Sequence, residues 1–177
     1  MFPGGRHPST GPPAPCAGLA VTIQKASRME EGIEKRLILE ERVYPDYRQA
    51  AMLSPNDAEI GLSLLELEIC LGKYREAICT AGSWWTRAEL TRHKIVCAWL
   101  AAIALILAAK PDRKVADFTA FLERDQQGLG QTAWCTEEIR QLVSGLEASP
   151  NFDRAKLHKI LAIHSRFMSH FTNGYAL

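Results

Sequence analysis

The 177-residue chain contains no GxxxxGK[ST], GxGxxG or GxSxG motif. A phosphate-cradling loop, a dinucleotide turn and a nucleophile elbow of the known kinds are therefore not written in it. Gly128-Leu129-Gly130 has neither a preceding strand nor a third glycine, and reads as a turn. Cysteine is sparse and unpaired. Cys16, Cys70, Cys79, Cys97 and Cys135 are odd in number and no two form CxxC, which argues against a disulfide framework and a zinc site. They are expected as small apolar residues of a reduced, cytoplasmic protein. His158, His164 and His170 recur every six residues, a rotation of ~240° per step on a helix, so they share no ligand face. No catalytic residue, cofactor or metal is expected. A dominant charge is missing too. The net charge is +1 and no Lys/Arg run exceeds two residues, leaving no general drive toward nucleic acid or an anionic membrane.

Alternating runs of β-branched residues are also scarce, with Ala20-Val21-Thr22-Ile23 the nearest to one. The expected fold is all-α. Residues 1–28 are rich in Pro and Gly and hold no acidic residue, and are expected to be a disordered tail or a misassigned start, with a targeting peptide ranked well below both. From Met29 onward 18 basic residues face 20 acidic ones, and 29–177 reads as a single helical domain.

Helix signals then follow one another. Ile33, Leu37, Ile38 and Val43 recur at roughly helical spacing, and Pro45 is expected to break that helix. A short helix restarts over 46–53. Ser54-Pro55-Asn56-Asp57 is a start signal, with Ser54 as N-cap and Asp57 reciprocating, for a helix over about 55–71. Gly72 suits a left-handed cap, and residues 73–85 form the partner helix, packed antiparallel. Fifteen residues from Ile95 to Ala109 carry no charge. They would span only ~22 Å at ~1.5 Å per residue, against ~30 Å for a hydrocarbon core, so a buried central helix is expected over a membrane span. Asp112 starts the next helix, Thr136 caps another, and Ser149-Pro150-Asn151 repeats the start signal for the last. Asp125 to Gln131 read as a loop.

The stretch from Ala58 to Thr91 resembles a tetratricopeptide repeat. Pro55-Asn56-Asp57 precedes it, Leu64 lies mid-way in its first helix, Gly72-Lys73-Tyr74 joins the helices, and Ala77 follows three positions on. Upstream, Tyr47 and Ala50 match the end of a preceding repeat. The departures are Gly61 where an aromatic is usual, Trp84 where a small residue is expected, Gly82 inside a helix, and a loose successor unit with Trp99 at a small position. The resemblance implies a right-handed stack of antiparallel helical hairpins, an α-α superhelix closed by a C-terminal capping helix. Arg154, Lys156, Lys159 and Arg166, interleaved with Leu157, Leu161 and Phe167, mark that cap.

The resemblance further implies a scaffold or adaptor binding a peptide or helix in a concave groove. Carried over by position, the groove face is Glu59, Leu62, Glu66 and Ile69 from one repeat and His93, Val96, Leu100 and Ile103 from the next. A plain core role for Leu62, Ile69, Val96 and Leu100 is weighed equally, and the C-terminal helix could itself fill the groove. In Trp84-Trp85-Arg87 at most one Trp is expected to be deeply buried, and Trp85 is the candidate contact. Two alternatives stay open. One is a regulatory subunit or small helical enzyme with a pocket near His93, His158 and Glu138. The other is self-association into a homodimer.

Overall fold

The computed structural model describes residues 36–124 and 134–172, and side chains as far as Met168. The tail expected over 1–28 and the loop around Gly128 lie outside the described residues. Within them the chain is helical and carries no strand. A π-helical turn, Leu39–Val43, runs into α1 (Tyr44–Leu53). Then come α2 (Ala58–Cys70), α3 (Tyr74–Arg87), α4 (Thr91–Leu107), α5 (Asp112–Arg124), α6 (Glu137–Ala148) and α7 (Arg154–Thr172).

The expected break at Pro45 does not occur. The Tyr44 N–H donates to the Leu39 carbonyl, and the helix continues with Pro45 in its first turn. Pro45 has no N–H to lose there, and the wider π turn takes up the backbone that its ring would otherwise crowd. The expected caps shift as well. Ser54 ends α1, and Asp57 is the N-cap of α2, its side chain accepting from the Glu59 and Ile60 N–H groups at 3.0 and 3.2 Å. Four residues after Ser149, Asp153 does the same for α7, accepting from Ala155 and Lys156. Thr136 precedes α6 without a side-chain cap bond.

Gly72 adopts φ 75° as expected. Its N–H donates to the Ile69 carbonyl and the Lys73 N–H to that of Glu68, the paired bonds of a Schellman turn. The turn brings α3 back along α2. Ala109 repeats the motif at the end of α4 with φ 52°, its neighbour Lys110 donating to Leu105.

Consecutive helices from α1 to α5 pack against each other, and α2 also packs on α4. Helix α4 is the axis of the molecule, meeting α2, α3, α5 and α7. Every residue from Ile95 to Ile106 is buried, which is why the sequence shows an uninterrupted apolar run rather than a stripe. Its alanines let four helices approach it. No helix among the described residues is long and apolar enough to cross a membrane.

Two departures from the repeat pattern answer each other. The indole of Trp84 lies on Gly61, so close that a Cβ there would stand 1.9 Å from the ring. A bulky residue on α3 and a bare one on α2 thus fill one slot. Gly82 has open space around it, so its cost to α3 is conformational only.

Candidate functional site

Helices α2 and α4 lie side by side and carry most of the positions expected to line a groove. Leu62, Ile69, Leu100 and Ile103 have no exposed surface and Val96 has 2 %. They belong to one core cluster with Ile139 and Val143 of α6 and Ile160, Ile163 and Phe167 of α7. The α2–α4 face is therefore roofed by the chain's own C-terminal helices, with α6 against α2 and α7 against α4.

The roof is held by aromatic and polar contacts. The rings of Trp99 and Phe167 stack with centroids 4.1 Å apart and planes 1° from parallel. His164 stacks beside them on Trp99, with centroids 5.8 Å apart. Its imidazole is pushed below the usual histidine range by burial and by the Arg140 guanidinium of α6, so it is held neutral. Glu66, expected on the groove face, is buried and accepts a hydrogen bond from the Trp134 indole N–H at 3.1 Å. Trp134 lies just before α6, so this bond pins the start of the roof to α2. His158 of α7 is exposed.

Trp85 is half-buried. Its ring meets Phe118 and Phe121 of α5 edge-on, at 5.1 and 4.9 Å. Trp84 is the deeply buried member of the pair. Arg87 covers the outer side of the Trp84 ring at 4.7 Å and donates to the Pro55 carbonyl, tying the end of α3 to the corner before α2.

Glu59 and His93 remain accessible, and both line a cleft of about 510 Å³ at the N-terminal ends of α2 and α4. Trp84 forms its wall, and Asn56, Asp57, Arg87, Glu89 and Arg92 complete the polar lining. The His93 imidazole is pushed down by burial and by Arg92, against the pull of Glu59 and Asp57. The cleft offers donors and acceptors of both signs. Of the positions named from sequence, the structure brings Glu59 and His93 together at this open end and places the apolar ones in the core. Trp99 and Trp134 were not assigned contact roles from sequence, and Arg87 was named only beside the two tryptophans. Arg87 carried a signal, since it sits three residues after Trp84, one turn along the same helix face.

His158 and Glu138 do not line this cleft with His93. Among the described residues no group of three or more His, Cys, Asp and Glu could hold a metal ion. Comparison with family models, with curated proteins and with solved structures finds no match for this chain.

Proposed function

We propose that this chain is a protein-interaction module, a small scaffold or adaptor of stacked helical hairpins resembling tetratricopeptide repeats. It takes a peptide at the open end of its inner face. The observation that carries this reading is the cleft at the start of α2 and α4, where Glu59 and His93 remain accessible beside Arg87 and Arg92. A lining of mixed charge around an aromatic wall suits a peptide backbone flanked by polar side chains. The packing of α2 on both α3 and α4 supports the stacked-hairpin reading. Cys79 and Cys97 are free thiols, in keeping with a reduced compartment such as the cytoplasm.

The test is affinity capture with the full chain and with a Glu59→Arg/His93→Glu variant. The variant is expected to keep its helical circular dichroism and lose its specific partners. Retention of those same partners would defeat the reading. Leu62→Asp with Leu100→Asp is expected to unfold the chain, because both side chains are fully buried.

Self-association is a second reading and rests on a different place. Met52 and Leu53, at the end of α1, are 72 % and 68 % exposed. Light scattering of Met52→Lys/Leu53→Lys against the unmodified chain tests it, with a dimer expected only for the latter.

A further inference from the structure

A second cleft, of about 740 Å³, opens between α1 and α3 on the side away from the roof, with α2 as its floor. Glu68 of α2 stands in that floor and is 3 % exposed. One carboxyl oxygen accepts from the Tyr44 hydroxyl at 3.4 Å, and the other, Oε2, has no hydrogen-bond partner. Thr80 approaches the carboxyl without bonding that oxygen. A buried carboxylate oxygen left unpaired is costly, and folded proteins seldom keep one without a use.

The cations around it do not supply the missing donor. Lys73 is committed to Glu40 at 2.9 Å. Arg48 lies over the Tyr44 ring at 5.8 Å, and Arg75 is exposed on the facing wall. Neither guanidinium has a hydrogen-bond acceptor among the described residues. The cleft therefore has one acceptor without a protein donor at its base and two guanidinium forks without a protein acceptor at its rim. A lone cation would join a lining where Arg48, Lys73 and Arg75 already outnumber Glu68 and Glu76. A lone anion would leave the base unpaired. Only a ligand bearing both charges answers both.

We propose that the α1–α3 cleft binds a small zwitterion, an amino acid whose ammonium group bonds the Glu68 carboxylate and whose carboxylate is held by Arg48 and Arg75. The cleft lies within the ~300–1,000 Å³ range of small-molecule sites. Arg–carboxylate forks supply orientation at the outer end. Binding is coupled to a proton. Burial pushes the Glu68 carboxyl up to about 7; Glu76 adds to the shift, while Thr80, Tyr44 and Arg48 oppose it. The ammonium needs the ionised form, so affinity rises with pH across neutrality.

Titration calorimetry on the full chain tests the site. The probes are glycine, 4-aminobutyrate and 6-aminohexanoate, which differ in the spacing of their charges, with butylamine and butyrate as singly charged controls. At least one zwitterion is expected to bind saturably, at least tenfold more tightly than either control, and severalfold more tightly at pH 8 than at pH 6. Glu68→Gln is expected to weaken it at least tenfold with unchanged circular dichroism. Arg48→Gln/Arg75→Gln is expected to bring it down to the level of butylamine. The proposal is overturned if no zwitterion binds, if butylamine binds equally well, or if the affinity survives in Glu68→Gln or in the double arginine variant.

Discussion

The indole of Trp84 occupies the space that any side chain on Gly61 would need. Gly61→Ala should therefore destabilise the fold by ~1–3 kcal/mol, since neither α2 nor the ring can move freely in a filled core. Trp84→Ala relieves the clash, so the double variant should be more stable than the two single losses added together predict. Urea unfolding of the four proteins measures this coupling, and simple additivity would show that the two residues do not share a slot. Ala109 is a quieter case. It holds a left-handed conformation that costs a residue with a Cβ ~1 kcal/mol, so Ala109→Gly should raise the melting temperature by a few degrees.

Titration belongs to this scale as well, and two buried groups pull in opposite directions. His164 is shifted down, so its contribution is complete above its unfolded value of 6.5 and is lost as pH falls toward the folded value. Glu68 is shifted up from 4.5 to about 7, so the fold is favoured when it is protonated. Stability is then surrendered as pH rises from 4.5 through 7. Glu68→Gln should be more stable than the unmodified chain at pH 8, by on the order of 2 kcal/mol after allowing for solvent screening. The gain should vanish near pH 4.5. A gain of equal size at both pH values would mean that the carboxyl's charge is not its source.

Among the elements, most helices were legible because their signals are local. The Gly72 turn, the apolar run from Ile95 and the acidic start of α6 each act within a few residues. The failures were local too, but ambiguous. Ser54 and Asp57 are both good caps, and Pro55 pointed to the first; the chain instead spends Pro55 and Asn56 in a turn and caps with the acid. Asp57→Ala and Asp153→Ala should each cost ~1 kcal/mol, and Ser54→Ala and Ser149→Ala about half or less. Thermal melts of the four variants distinguish the two assignments. Pro45 misled for another reason. A proline excludes an ordinary helical bond, and the π turn at Leu39–Val43 that accommodates it has no simple sequence signature.

At the scale of the molecule, the sequence supplied the hairpins but not what covers them. The apolar residues of α2 and α4 read equally well as groove or as core, because burial under one's own helix and burial under a partner ask for the same side chains. What decides is long-range: Trp99 meeting Phe167 and His164, and Trp134 reaching Glu66 across 68 residues of chain. The cleft at Glu59 and His93, whose lining includes no residue of α6 or α7, lies outside that cover.

Contact between the rings of Trp99 and Phe167 is the hinge of that account, and nuclear Overhauser spectroscopy on the full, isotope-labelled chain observes it directly. Strong cross-peaks between the two rings are predicted from their 4.1 Å separation. If both rings are assigned and each shows cross-peaks only within its own helix, α7 does not cover α4, and the face along Leu62, Val96 and Leu100 is open.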